Sequence, residues 1–266
     1  MPESLTQILF TRIDWVWRLF ATALSFASFG AGSLVLGVLV FPFFWILIKN
    51  PERRRGTARR MVTGGFGLFV NVMNGLGVLR YRIGGLDIAN SAQGCLIVAN
   101  HPTLIDVVFL LSVFRDADCV VKSAMWSNPF TMATVRAIDY IPNEDPTIVM
   151  AECVKRLKAG NNLILFPEGT RSIPGQALNF GRGAATIAVR AGAPCLPVLF
   201  QCSPMTLTKS EPWYRIPAKR VLFEMEILPP IPVQSFIDES TSEKNASLAL
   251  NGLLHETLSQ HVEITV

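Results

Sequence analysis

Three short stretches of this chain hold residue types suited to acid–base or anion chemistry. Asn100-His101-Pro102-Thr103-Leu104-Ile105-Asp106 sets an imidazole and a carboxylate five residues apart. Lys122 closes the apolar run Cys119-Val120-Val121, and Pro167-Glu168-Gly169-Thr170-Arg171-Ser172 follows the run Leu163-Ile164-Leu165-Phe166. If a helix begins near Thr103, the Asp106 carboxylate comes back beneath the loop carrying His101. A carboxylate bonded to one ring nitrogen fixes the tautomer and stabilises the imidazolium, which leaves the other nitrogen as an oriented general base. The same spacing fits a structural pair, with His101 capping the helix and Asp106 in the first turn, where the helix dipole favours negative charge. Spacing alone leaves both readings open. Glu168 and Arg171, taken by themselves, read as a surface ion pair.

The surrounding chemistry narrows the choice. No G-x-S-x-G turn is present and no cysteine stands beside His101, so a covalent intermediate on the protein has no nucleophile. Direct transfer to a substrate hydroxyl fits this set better. The chain has no Gly-Lys-Ser/Thr phosphate loop, which disfavours nucleoside triphosphate chemistry. The five cysteines (Cys95, Cys119, Cys153, Cys195, Cys202) are odd in number and lack zinc-ligand spacing. They read as buried free thiols in a reducing compartment. None of His101, His255 and His261 has a histidine partner at metal spacing, so no metal is expected, and the last two read as solvated. Gly181-x-Gly183 before a helical pattern reads as close packing, not a dinucleotide site.

These stretches must be held by something. Short apolar runs at 78–83, 95–99, 118–122, 137–141, 162–166, 195–200 and 220–228 predict strands. Helix-like segments near 103–114, 127–136, 147–159 and 180–191 alternate with them, and 242–262 forms a last amphipathic helix. The third of these has Asp145 as N-cap, Pro146 at its first position and Gly160 at its end. The alternation predicts an α/β domain: a largely parallel or mixed sheet of about seven strands flanked by helices. In open α/β sheets ligands bind beyond the carboxyl ends of the strands. His101, Lys122 and Glu168 each follow a predicted strand, so all three loops fall at one edge.

The N-terminal region differs in composition. Half the chain is hydrophobic and only 17% is charged, which argues against disorder and against a nucleic-acid partner. From Leu19 to Ile48 there is no charge. That run exceeds the ~20 residues that cross a bilayer and the ~7–15 of a signal peptide. It predicts an uncleaved membrane-embedded helical segment, either one tilted span or a helix–turn–helix in one leaflet, interrupted at Gly30, Gly32, Ser33 and Pro42. Trp15, Trp17 and Trp45 lie near its ends, where indoles favour the interface. Lys49, Arg53, Arg54, Arg55, Arg59 and Arg60 follow, a basic cluster expected to stay on the cytoplasmic side. Met61 to Leu79 is again uncharged but rich in Gly and Asn, and reads as a helix lying on the membrane or packed on the domain. The expected division is 1–60 as anchor and basic juxtamembrane segment, with 61–266 as the catalytic domain.

Phe166-Pro167-Glu168-Gly169-Thr170-Arg171-Ser172, with Asn-His-x4-Asp 62 residues upstream, resembles the glycerolipid acyltransferase family, typified by bacterial 1-acylglycerol-3-phosphate acyltransferases. The resemblance covers roughly residues 75–230 and includes Lys122 in a second block and Pro194-Cys195-Leu196-Pro197-Val198 in a fourth. It implies transfer of a fatty acyl group from a coenzyme A or acyl-carrier-protein thioester to a lipid hydroxyl, with no bound cofactor. It also implies a place on the cytoplasmic face of a bacterial inner membrane. In that family His101 would be the general base and Asp106 its orienter. The Gly169 amide, helped by Lys122, would face the thioester oxygen. Glu168, Thr170 and Arg171 would position the acceptor.

One departure stands out. The family's second block often ends in an arginine that holds the acceptor phosphate, and here that place is Asn143, with Arg136 as the nearby cation. This argues for a less anionic acceptor than lysophosphatidate. Tyr140-Ile141-Pro142-Asn143 and Trp213-Tyr214-Arg215-Ile216-Pro217 resemble a divergent branch associated with bacterial aryl-polyene and similar lipid conjugates, so a glycolipid or aryl-polyene acceptor is the alternative substrate. A non-catalytic lipid-binding protein of the same fold is the alternative function.

Overall fold

The computed structural model describes residues 5–209 and 211–260. The strands are β1 (Leu79–Gly84), β2 (Leu96–Ala99), β3 (Asp118–Lys122), β4 (Ile141–Asn143), β5 (Leu163–Leu165), β6 (Cys195–Ser203) and β7 (Val221–Ile227). They form one sheet in the order β1-β7-β6-β2-β5-β3-β4. β6, β2, β5, β3 and β4 run parallel, whereas β7 is antiparallel to β6 and carries β1 parallel to itself. The sheet is therefore mixed. β2 is buried on both faces, as its unbroken apolar run requires of a central parallel strand. Ile97 and Ala99 enter one hydrophobic layer and Leu96 and Val98 the other.

The first layer is covered by α1 (Leu5–Val35), α3 (Pro51–Gly75), α5 (Asp106–Val113) and α6 (Met132–Ile138). The second is covered by α7 (Pro146–Lys158), α8 (Gly183–Ala191) and α10 (Glu243–Gln260). Short helices α2 (Phe41–Leu47), α4 (Leu86–Ser91) and α9 (Gln234–Glu239) complete the chain. α7 starts as expected: the Asp145 carboxylate accepts from Thr147 N (2.8 Å) and Ile148 N (3.3 Å), and Pro146 takes the first position. The predicted strand at 137–141 is not one. Ala137 and Ile138 are the buried end of α6, Asp139 terminates it at φ +58°, and the strand begins at Ile141. The buried face of a short helix and a short strand read alike in an apolar run of this length.

The N-terminal segment is a helical hairpin. α1 continues through Gly30, Gly32 and Ser33 without a break. It widens to a π-turn over 36–40, where Pro42 has no N–H to offer the preceding turn, and resumes as α2. Gly37 lies so close to α6 that a Cβ there would come within 2.6 Å of Ala133 Cβ. After a turn capped by the Asn50 side chain, α3 returns. The apolar helical run Leu9–Leu47 is 39 residues long, and 11% of its 18-residue apolar window is buried. At 1.5 Å per residue it measures about 58 Å, roughly twice the apolar thickness of a bilayer.

α1 is fastened along one side. Arg18, 2% exposed, donates to Asp14 Oδ2 and to the carbonyls of Pro217 and Ala218, each at 2.8 Å. Trp15 and Trp17, expected to serve as interfacial anchors, donate their indole N–H groups to the carbonyls of Ile216 (3.0 Å) and Leu76 (2.9 Å). Ser33 Oγ reaches the Phe130 carbonyl at 2.7 Å. From Trp15 to Ser33 is about 27 Å of helix.

α3 runs unbroken across the 60/61 boundary expected between anchor and domain, and Val62, Phe69, Val70 and Met73 are buried in the layer it shares with α5, α6 and β1. Nor is the basic cluster uniformly solvated. Arg59 is buried, donating to the Asp118 carboxylate and to the carbonyls of Ile138 (3.0 Å) and Asp116 (2.9 Å). Asp118, fully buried at the start of β3, also accepts from Arg156 (2.6 Å) and Asn161 (3.1 Å). Removing one member of such a set strands the others, at a cost of about 3–5 kcal/mol. Asp118→Ala is therefore expected to lower unfolding stability by about that much, and Arg55→Gln, at the solvated rim, by under about 1 kcal/mol. Denaturation of both variants in the same detergent checks the contrast.

Candidate active site

Strand register brings the two motifs together. β2 pairs with β5 in parallel, Leu96 opposite Leu163 and Val98 opposite Leu165. The same offset of 67 residues, continued past the strand ends, sets His101 beside Glu168, and His101 N donates to Glu168 Oε1 at 3.1 Å. After β2 the chain crosses one face through α5, and after β5 it crosses the other through α8. The two loops part at a topological switch point, where open α/β sheets hold their ligands.

His101 Nδ1 lies 2.8 Å from Asp106 Oδ2. The helix begins at Asp106 itself, so Thr103 stands in the turn before it. Thr103 N–H donates to Oδ2 at 2.7 Å, and its hydroxyl donates to Oδ1. The imidazole stacks on the Phe166 ring, with centroids 4.1 Å apart. Its Nε2 has no protein partner among the described residues, and the side chain is 18% exposed. Asn100 clamps the base of the loop: its amide donates to the Phe200 carbonyl (2.9 Å) and its oxygen accepts from Phe200 N–H (2.7 Å), tying β2 to β6.

The third loop is bound back onto the first. Ser172 N donates to the His101 carbonyl at 2.7 Å, and Ser172 Oγ donates to Glu168 Oε1 at 2.7 Å. Glu168 is thus engaged by the loop it faces and is no partner of Arg171. Arg171 Nη1 donates to the carbonyls of Leu207 and Thr208, both at 2.9 Å. The Gly169 amide, expected to face a thioester oxygen, donates to the Phe166 carbonyl at 3.0 Å and closes a turn in which Gly169 takes φ +65°. The next amide, that of exposed Thr170, has no hydrogen-bond partner among the described residues.

Lys122 and Asn143 lie farther along the same edge, opposite each other in the β3–β4 register and both exposed. At the usual strand spacing Lys122 stands about 10 Å and Asn143 about 14 Å from the β2 axis. Arg136 is not beside them; it lines a recess with Trp45, Arg54 and Arg55. Thr103, Asn100, Phe166 and Ser172 were not singled out as site residues. The threonine three places before Asp106 was the one readable signal among them, since its hydroxyl can meet a carboxylate at that spacing.

Burial leaves the thiols inert. Cys119, Cys153, Cys195 and Cys202 are each pushed up to about 12, and Cys202 is the one that feels the Asp106 charge. A thiolate nucleophile is thus lacking among them at neutral pH. His255, expected to be solvated, bonds through Nε2 to the Leu178 carbonyl at 2.8 Å; His261 lies outside the described residues. No group of three His, Cys, Asp or Glu among the described residues could hold a metal ion.

Residues 80–201 match the family model described as acyltransferase. This chain is thus similar to the acyltransferase family over the stretch that holds His101, Asp106, Glu168 and Arg171. It is 32% identical over 127 residues to a 1-acyl-sn-glycerol-3-phosphate acyltransferase of Pseudomonas aeruginosa, covering 45% of this chain and 49% of that protein. To the alpha form of the same enzyme from Bos taurus it is 26% identical over 215 residues, covering 78% of this chain and 70% of that one. The chain spans between about a third and a half of the length of the curated relatives it matches first, 49%, 36% and 35% of the first three. The crystal structure of the 1-acyl-sn-glycerophosphate acyltransferase PlsC from Thermotoga maritima shares the fold, with a TM-score of 0.69 at 20% identity over 93% of this chain and 98% of that one.

Burial raises the Asp106 carboxyl above the usual carboxylate range, against the pull of the His101 and Thr103 hydrogen bonds. A carboxyl raised in the native state still holds its proton at a pH where the unfolded chain has lost it, so its ionised form costs stability above that window. Asparagine has the same shape without the charge. Its oxygen can accept from His101 Nδ1–H and Thr103 N–H, and its amide can donate to the Thr103 hydroxyl. Asp106→Asn is expected to be at least as stable as wild type at pH 7, by a margin that shrinks toward pH 4 as the raised carboxyl takes up its proton. Thermal melts at the two pH values test this. A wild type clearly more stable at pH 7 would mean that the imidazole's attraction outweighs the burial cost.

Proposed function

We propose that the chain is a membrane-associated O-acyltransferase that moves a fatty acyl group from a coenzyme A or acyl-carrier-protein thioester to a lipid hydroxyl. The observation that carries the reading is the His101–Asp106 contact, with the second ring nitrogen unbonded at the switch point of the sheet. Nε2 takes the proton of the acceptor hydroxyl as its oxygen attacks the thioester carbon. Asp106 steadies the imidazolium through Nδ1. The oxyanion collapses, the C–S bond breaks, and the imidazolium returns its proton to the leaving sulfur. With the Gly169 amide held in its turn, the Thr170 N–H is the donor this loop offers to the oxyanion, and Lys122 adds charge from the neighbouring strand. Inert cysteines fit direct transfer without an acyl-enzyme.

The relatives' names point to 1-acylglycerol-3-phosphate as the acceptor class. The hairpin supports a place on one leaflet of a bacterial inner membrane, with the catalytic domain on the cytoplasmic face. The Leu9–Leu47 run is too long to stand upright as one span, and one side of it is tied to the domain over about 27 Å. His101→Ala is expected to slow transfer at least ~10²-fold, the low end for loss of a general base. Asp106→Asn should also slow it strongly while keeping its fold. Near-wild-type transfer of labelled acyl groups by folded His101→Ala would overturn the assignment of the base.

Asn143 supports a second reading of the acceptor. A phosphate monoester is well held by two converging cations. Here Arg171 spends Nη1 on two carbonyls, Asn143 brings no charge, and Arg136 faces another recess. Each charge-assisted hydrogen bond contributes about 1.5–3 kcal/mol, so the missing one costs roughly ten- to a hundredfold in acceptor discrimination. Lysophosphatidate is expected to be a poorer acceptor than a less anionic lipid or glycolipid hydroxyl, and Asn143→Arg to shift preference toward it. The ratio of kcat/KM for the two acceptors in each protein decides. A wild type that already strongly prefers lysophosphatidate defeats this reading of Asn143.

A further inference from the structure

The recess that takes Arg136 away from the catalytic edge is formed where α2, α3 and α6 meet. It measures about 260 Å³ and is lined by Trp45, Glu52, Arg54, Arg55, Arg136 and Asp139. Its charges are unequally satisfied. The Asp139 carboxylate is shared between Arg55 (3.2 Å) and Arg156 (3.1 Å). Arg54 lies 5.5 Å from the Trp45 ring centroid, held by the indole face, and among the described residues neither it nor Arg136 has a carboxylate within 4.0 Å. Glu52, exposed in the first turn of α3, is the only opposing charge left. Two guanidinium groups therefore converge on an open concavity with more positive charge than its own carboxylates neutralise.

Its position gives the concavity a ligand. Trp45 belongs to α2, whose Phe43 (59%), Ile46 (77%) and Leu47 (60%) are among the most exposed apolar side chains of the protein. Within a few residues the surface passes from apolar through an indole to arginine, the order of a bilayer boundary read from acyl chains through the interface to the headgroups. We propose that this recess binds the phosphate of an anionic membrane phospholipid, a site separate from the catalytic one. Arg54 and Arg136 hold the phosphate, Trp45 sits at the glycerol level, and the apolar face of α2 meets the acyl chains. The site rests on the membrane reading above. It would fix the hairpin's far end on the leaflet, opposite the end that Arg18 and Trp15 fasten to residues 216–218.

The test uses the full chain. Flotation with phosphatidylcholine vesicles, with and without phosphatidylglycerol, asks whether it binds membranes. Native mass spectrometry of detergent-solubilised protein equilibrated with equal amounts of both lipids then asks which is retained. Wild type is expected to float with both vesicles and to retain phosphatidylglycerol over phosphatidylcholine about tenfold. Arg54→Gln with Arg136→Gln should bring that preference close to parity. Arg53→Gln with Arg60→Gln, which removes the same charge from a neighbouring recess, should leave most of it, and Glu52→Gln should raise it. Equal losses in the two double variants would reduce the effect to diffuse charge and overturn the site, as would no loss in the first. Displacement of the lipid by an equal concentration of glycerol phosphate would assign the recess to a soluble phosphate ester and overturn the lipid. A wild type that floats with neither vesicle overturns the membrane reading itself, whereas one that floats without lipid preference overturns the recess alone.

Discussion

The parallel pairing of β2 with β5 is the constraint on which the site depends. Neither strand carries a reactive group; each is four residues or fewer of buried aliphatic chain. Their register sets the His101 loop against the Glu168 loop, and everything polar at the edge follows from that alignment. Ser172 and Glu168 bond to the backbone of His101, so the third loop holds the first rather than merely facing it. Asn100 performs the same service on the other side by bonding both backbone groups of Phe200. The imidazole is fixed from three strands at once, and its reach toward a substrate is set by sheet geometry rather than by a flexible loop.

Two buried carboxylates show opposite uses of charge. Asp118 is surrounded by two guanidinium groups and an amide, and it joins α3, β3 and α7 into one body. Asp106 meets a threonine and an imidazole, partners that satisfy its oxygens without neutralising it permanently, and its carboxyl is raised by burial. The first arrangement stabilises the packing of the helical hairpin on the sheet. The second sets a carboxyl where a positive charge on the ring would complete the pairing, as the proposed orienting role requires.

Much of this was legible in the sequence, for local reasons. The central strands read as apolar runs because both faces are buried, and α7 was legible from Asp145, Pro146 and the following glycine because caps are local chemistry. The strand expected at 137–141 turned out to be a helix end because five residues, Asp139 among them, are too few to show a period. The roles of Trp15, Arg18 and Arg59 were not legible: their partners lie 201, 199 and 59 residues away, and a composition that suits a membrane boundary suits a carbonyl partner equally well. At the site, His101 and Asp106 do meet. The Gly169 amide could not be placed from sequence, since a left-handed glycine specifies a turn without saying which amide the turn consumes.

The fastening of α1 to residues 216–218 also orders events during synthesis. Arg18 waits for carbonyls 199 and 200 residues downstream, and β1 waits for β7, which begins at Val221. At about 5–20 residues per second, some 10–40 s separate the emergence of α1 from that of its docking site. During that interval the side of α1 bearing Arg18, Ala21, Thr22 and Ser25 is uncovered, along with the apolar face that the finished domain never covers. Both sides of α1 therefore stay uncovered by its own domain until residues 216–221 have emerged, and the first helix is among the last to be docked.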